Sequence, residues 1–107
     1  METGRGAERD VSTVARRVVV RGVVQGVGFR YHTLDRARLC GLVGWVRNLP
    51  DGTVEAWVQG DEARVAEMLD WLRHGPRSAR VERIDVDDAA LDELTTFEIR
   101  RGHFSAH

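Results

Sequence analysis

A glycine-rich segment between a β-branched run and a helical pattern constrains this chain more than any other feature. The run at 16–21 predicts a central strand, and Gly22, Gly26 and Gly28 follow it within seven positions. Glycines permit backbone conformations in which successive N–H groups turn to one side, so this segment predicts an anion-binding loop. Arg30 follows at the start of the next helical pattern, where a planar guanidinium and a helix N-terminus both favour a bound phosphate.

The remaining pattern predicts two helices and four further strands. Proline, aspartate and glycine at 50–52 favour a tight turn between two strands, and Asp61 can cap the second helix, which Gly75-Pro76 ends. Val81 is out of phase with Ile84, which predicts a one-residue bulge near Glu82 or Arg83. The predicted strands are 16–21, 42–48, 53–59, 80–86 and 97–99, and the predicted helices are 30–40 and 61–74.

This order, β-α-β-β-α-β with a short fifth strand, predicts a fold of the α+β class. It is the ferredoxin-like two-layer sandwich, an antiparallel sheet with two helices on one face. A length of 107 residues fits one domain, which we place at 15–101. Residues 1–14 lack hydrophobic periodicity and predict a disordered lead-in, and 102–107 predict a loose tail. An acidic connector is expected at 87–93.

Composition excludes several classes of chemistry. All 16 basic residues are arginine, so a lysine-containing phosphate loop, a Schiff base and a lysine general base are ruled out. The net charge of −1 gives no general attraction to nucleic acid or anionic membrane. One cysteine, Cys40, has no metal-ligand spacing around it and indicates a reducing compartment. With no apolar stretch of signal-peptide or membrane-spanning length, we expect a cytoplasmic protein.

Two segments of the sequence resemble the signatures of the acylphosphatase family, position by position. The first is Val20-Arg21-Gly22-Val23-Val24-Gln25-Gly26-Val27-Gly28-Phe29-Arg30, and the second is Gly44-Trp45-Val46-Arg47-Asn48 with Gly52, Val54 and Gly60. The resemblance extends over about 16–100 and implies an enzyme that hydrolyses the carboxyl-phosphate bond of acyl phosphates.

The resemblance also implies a site and a set of partners. Arg30 is expected to bind the phosphate and Asn48 to position a water, without a metal or any other cofactor. The expected partner is a small acyl phosphate, with no nucleic acid and no membrane, and the expected state is a monomer. The backbone N–H groups that are expected to surround the phosphate belong to Val23, Val24, Gln25, Gly26, Val27, Gly28 and Phe29.

Two other functions remain open at this level. Acylphosphatase-like domains also form the leading part of hydrogenase-maturation proteins, so the chain could be a non-catalytic module that binds phosphate or carbamoyl phosphate. An RNA-recognition domain shares the architecture but needs aromatic side chains within a basic motif on the open sheet face. We expect Trp45 and Trp57 to pair across neighbouring strands there instead, and His32 to be a solvated residue on the helix surface.

Overall fold

The computed structural model describes residues 13–102, which form one five-stranded sheet and two helices. The predicted lead-in and tail lie outside this range except for residues 13–14 and 102. The first strand begins two residues before the predicted domain start at Ala15. The elements are β1 Thr13–Val23, α1 Phe29–Leu39, β2 Val43–Asn48, β3 Val54–Asp61, α2 Glu62–Leu72, β4 Arg80–Ala89 and β5 Phe97–Ile99.

The sheet has the strand order β4-β1-β3-β2-β5, and both helices pack on one of its faces. Val18 of β1 lies opposite Ala56 of β3 and Val86 of β4, and Val46 of β2 also lies opposite Ala56. Because opposed residues share a face, these side chains point together toward the helices. The α+β ferredoxin-like architecture that the sequence predicts is therefore confirmed, with a core between the sheet and the two helices.

The last strand is the one part of the sheet that departs from the predicted antiparallel arrangement. Phe97 lies opposite Gly44 and Ile99 opposite Val46, and β5 runs parallel to β2. The chain leaves β4 at one edge, crosses the sheet in residues 90–96 and enters β5 at the other edge. Four strand spacings amount to about 19 Å, which seven extended residues can span. Since β2 already runs opposite to β4, the returning strand is parallel to its new neighbour.

The predicted bulge is present, and the predicted acidic connector begins too early. The pairing of β1 with β4 shifts after Arg21, which lies opposite Arg83, and leaves Glu82 as the extra residue. Asp87 and Asp88, expected in the connector, belong instead to β4. They lie opposite Arg17 and Arg16 on β1 and form ion pairs with them at 3.8 and 3.3 Å, so cross-strand charge pairing extends the strand.

The sheet face opposite the helices carries an aromatic pair and a buried carboxylate. Trp45 and Trp57 lie on facing residues of β2 and β3 with ring centroids 6.3 Å apart, as predicted. Glu55 accepts hydrogen bonds from Arg17 and Arg47, although its own side chain is only 5% exposed. Burial alone would raise the pKa of Glu55, but the two arginine hydrogen bonds outweigh it and hold the pKa below its usual range. This face is therefore internally paired.

Candidate active site

The glycine-rich loop between β1 and α1 forms an open arc of backbone N–H groups. Val24 and Phe29 are 1% exposed and anchor both ends of the loop in the core. Between them, Gly26 and Gly28 have φ values of 76° and 77°, left-handed conformations that favour glycine. Among residues 13–102, the backbone N–H groups of residues 24–28 have no hydrogen-bond acceptor. The loop thus presents free donors to solvent.

The first turn of α1 continues this row of donors. Gly28 is the N-cap residue, and no side chain in the described part of the protein caps the helix. The first intrahelical bond runs from the N–H of His32 to the carbonyl of Gly28, so the earlier N–H groups of the helix lack helical acceptors. The positive end of the helix dipole lies at the same point. An anion beside Gly28 would be stabilised by both effects.

Arg30 lies in this first turn with a half-buried side chain. Its guanidinium forms no hydrogen bond or ion pair with any residue in the range 13–102. Elsewhere many arginines are paired, for example Arg21, whose Nε is 2.8 Å from Asp85 Oδ2. An unpaired guanidinium beside a row of free N–H groups is suited to bind a dianion.

Asn48 ends β2 and points to the helix side of the sheet, because it lies opposite Val54 in register with the core residues. Its Oδ1 atom is buried and has no hydrogen-bond partner within the described residues. A buried acceptor without a donor is costly, by about 1–3 kcal/mol. Such an atom is suited to accept a hydrogen bond from a water molecule that enters the site.

The topology brings Arg30 and Asn48 to the same end of the molecule. α1 packs against β2 and β5 and descends from the loop, whereas β2 rises toward the loop end and finishes at Asn48. Val20 and Asn48 both lie opposite Val54, so they are two strand spacings apart, about 10 Å. The first turn of α1 therefore lies above the end of β2, with the loop beside it.

Two side-chain contacts hold the loop in place, and both were missed by sequence reasoning. Gln25 Nε2 donates to the carbonyls of Leu49 and Thr53, each at 2.8 Å, and so joins the loop to the β2–β3 turn. Ser78 lies in the segment after α2, and its hydroxyl donates a hydrogen bond to the carbonyl of Val27, with 2.7 Å between the two oxygen atoms. The separations of 24, 28 and 51 residues explain why no local pattern indicates these contacts. The sequence predicts only a backbone role for Gln25.

The predicted loop is divided between three elements. Val23 is the last residue of β1, opposite Arg80 of β4, and Phe29 is the first residue of α1. Only residues 24–28 form the connecting loop itself. The solvent-facing arc thus consists of this segment and the helix start.

Two further reactive side chains lie on α1 or at its end, one beside the arc and one far from it. The ring carbon Cδ2 of His32 would lie 3.6 Å from a Cβ atom added at Gly28, so this imidazole borders the arc. His32 is exposed on α1 and lines a groove of about 440 Å³ with Trp71 and Arg77. Burial raises the pKa of the Cys40 thiol, which lies at the opposite end of α1. No three His, Cys, Asp or Glu side chains among residues 13–102 are grouped to hold a metal ion. No helix in that range is long and apolar enough to cross a membrane.

Known proteins share both the sequence and this architecture. The acylphosphatase family model matches residues 16–99. The acylphosphatase of Acaryochloris marina (strain MBIC 11017) is 48% identical over 88 residues, which is 82% of this chain and 95% of that protein. The acylphosphatase of Bordetella parapertussis is 55% identical over 88 residues, covering 82% of this chain and 87% of that protein.

A solved structure gives the same result at the level of the fold. An acylphosphatase from Coxiella burnetii superposes with a TM-score of 0.82 at 30% identity, covering 87% of this chain and 98% of that chain. The matched region contains the whole arc of N–H groups as well as Arg30 and Asn48. Sequence, fold and the matched span agree, and the chain belongs to the acylphosphatase family.

Proposed function

We propose that this acylphosphatase cleaves its substrate by direct attack of a water molecule on phosphorus. Arg30 and the N–H groups of the 23–29 loop and helix start bind the phosphate, and Asn48 holds the water. The unpaired guanidinium of Arg30 and the free donors of the loop support the first assignment. The buried, unpartnered Oδ1 of Asn48 is the observation that carries the second, since a water O–H can donate to it.

The substrate makes this small set of groups sufficient. An acyl phosphate is a mixed anhydride, and when its P–O bond breaks, the leaving group is a carboxylate that is stable as an anion near neutral pH. No general acid is needed, in contrast to a phosphate monoester, whose alkoxide leaving group calls for a proton. Phosphoryl transfer has a loose transition state, so positioning and charge stabilisation at the phosphate oxygens supply most of the catalysis.

The proton balance follows from the neutrality of Asn48. The water oxygen forms the new bond to phosphorus, the bond to the acyl oxygen breaks, and the carboxylate leaves with that electron pair. An amide does not accept the water proton, so a phosphate oxygen of the substrate takes it. Cys40 is not used as a nucleophile, because it caps the C-terminus of α1, at the end of the helix opposite the arc.

The direct test is hydrolysis of benzoyl phosphate or acetyl phosphate with a chelator present. We expect wild-type turnover and a loss of about 100-fold or more in Arg30→Ala and in Asn48→Ala, as for the removal of one transition-state contact. Arg38→Ala is the matched control, because Arg38 lies on the same helix but is exposed in its last turn. Full activity in Arg30→Ala would overturn the site.

The same assay separates the enzyme from a non-catalytic binding module. A module would bind inorganic phosphate or carbamoyl phosphate at Arg30 without turning over any acyl phosphate. The observation that favours an enzyme is again Asn48, because a site that only binds phosphate has no use for a buried acceptor kept free of donors. Phosphate binding by the wild type without turnover would establish the module instead.

We propose further that the protein acts as a cytoplasmic monomer and takes neither nucleic acid nor membrane as a partner. The net charge of −1 and the paired arginines of the open sheet face support this. Light scattering during gel filtration should give a mass near 12.1 kDa. A dimer mass, or retention on RNA at physiological salt, would contradict it.

A further inference from the structure

Gln25 makes a contact that no other loop residue makes. Its side-chain amide reaches out of the loop and donates two hydrogen bonds, to Leu49 O and to Thr53 O. These carbonyls lie on the two sides of the β2–β3 turn. The turn is closed by a backbone hydrogen bond, which the N–H of Leu49 donates to the carbonyl of Thr53 at 2.9 Å. One amide therefore bridges both sides of the turn at its base.

This turn begins at the residue after Asn48. A single hydrogen bond would leave the turn free to pivot, whereas two bonds of equal length from one planar amide fix both its distance and its rotation. The turn is also stiff on its own side, because Asp51 Oδ1 accepts from both the N–H and the hydroxyl of Thr53. Gln25 is thus the loop side chain that restrains movement of the loop relative to this turn.

We propose that Gln25 is a positioning residue, whose side chain sets the distance between the phosphate-binding arc and the water held by Asn48. This inference rests on the proposed function, and it assigns to Gln25 a second role beside its backbone N–H group. The amide does not touch the reacting atoms. It acts through the turn, by holding Asn48 in line with a phosphate bound in the loop.

The expected effect is a loss of turnover without a loss of phosphate binding. Gln25→Met keeps the length of the side chain but removes both donors. A misplacement of 1 Å between reacting groups costs on the order of 100-fold, so kcat should fall about 10- to 100-fold. The loop N–H groups and Arg30 remain in this variant. The inhibition constant of inorganic phosphate should therefore change by less than about 3-fold, which is less than the loss of one typical hydrogen bond to the phosphate would cause.

The chain offers a matched control in Gln59. Its Nε2 donates to the carbonyl of Asp92 at 2.8 Å, and its Oε1 accepts from the N–H of Asp92 at 2.9 Å. This glutamine also ties the sheet to a connecting segment, but at the end of β3 away from the site. Gln59→Met should lower the melting temperature by about as much as Gln25→Met does, because each substitution removes two side-chain hydrogen bonds, but it should leave kcat unchanged. The comparison separates a positioning role from a loss of stability.

The decisive arm is a double-mutant cycle with Asn48. If Gln25 acts through Asn48, adding Gln25→Met to Asn48→Ala lowers kcat no further, whereas an independent structural role gives additive losses. Additive losses, or a wild-type kcat in Gln25→Met, would overturn the proposal. Gln25→Asn, one methylene too short to reach the turn, carries the same expectation if Gln25→Met does not fold. Failure of the proposed function is distinguishable, because Arg30→Ala and Asn48→Ala would then keep their activity.

Discussion

Asn48→Ala should make the protein inactive and at the same time change its stability little. Most substitutions of a side chain on the core side of a sheet destabilise, because contacts are lost and a cavity forms. Asn48 differs, because its buried Oδ1 has no donor within the described residues. Removing that atom breaks no hydrogen bond to the protein, and it relieves the part of the desolvation penalty that a bound water leaves uncompensated. Catalytic residues often carry such a cost, which disappears when they are replaced.

The size of the effect follows from two opposing contributions. A buried acceptor without any donor costs about 1–3 kcal/mol, and because the water proposed on Asn48 Oδ1 offsets part of this cost, its removal returns about 0–3 kcal/mol. Loss of the packing of a half-buried side chain costs about 1 kcal/mol, comparable with the transfer of one methylene and its contacts. The net change in the free energy of unfolding lies between a loss of about 1 kcal/mol and a gain of about 2 kcal/mol. For a domain of this size, 1 kcal/mol corresponds to a shift of about 4–8 °C in melting temperature.

Urea denaturation and a benzoyl phosphate assay on the same preparations measure both quantities. Val46→Ala is the matched control, because Val46 lies two residues earlier on the same face of β2 and is fully buried. It should lose about 2–3 kcal/mol of stability through cavity formation and retain its kcat while folded. A loss of more than about 1 kcal/mol in Asn48→Ala would refute the reasoning, since it would indicate that Oδ1 accepts a hydrogen bond from the protein itself.

Three further predictions follow from other contacts. Glu55→Gln should lower the free energy of unfolding by about 1–2 kcal/mol and leave kcat unchanged. This loss is smaller than for a fully buried ion pair, because Arg17 and Arg47 are partly exposed. Because the pKa of Glu55 is lowered in the folded protein, its stabilisation is present above the usual carboxyl pKa of about 4.3 and is lost as the pH falls through the folded value. The free energy of unfolding should therefore fall less steeply with decreasing pH in Glu55→Gln than in the wild type. An equal steepness in the two proteins would contradict this. Gly28→Ala should lower the free energy of unfolding by about 1–2 kcal/mol, because the φ angle of Gly28 is 77°, a left-handed conformation that alanine adopts at a cost. It should also weaken phosphate binding. Equal stability of the variant and the wild type in denaturation would show that the loop adopts another conformation.

Sequence patterns predicted the features that depend on neighbouring residues. The β-branched run and the glycines placed the loop between β1 and α1, and the phase change at Val81 located the bulge at Glu82. The pairing of Trp45 with Trp57 followed from the predicted hairpin. In each case a local signal, such as periodicity, turn chemistry or a break in phase, was present in the sequence.

The features that were missed depend on distant parts of the chain. The direction of β5 depends on which edge of the sheet the connector reaches, and the length of β4 depends on Arg16 and Arg17 lying opposite it. The contacts of Gln25 cross 24 and 28 residues and require the loop and the turn to be packed already. Arg30 and Asn48 are brought to one end of the molecule, while their roles remain proposals.

The most direct test of direct attack on phosphorus is the fate of the water oxygen. Benzoyl phosphate is hydrolysed in water enriched in oxygen-18, with wild-type enzyme and with Asn48→Ala, and both products are analysed by mass spectrometry. We predict one labelled oxygen in inorganic phosphate, none in benzoate, and a rate of label incorporation that collapses in Asn48→Ala. Label in benzoate would mean attack at the acyl carbon, and it would contradict the account.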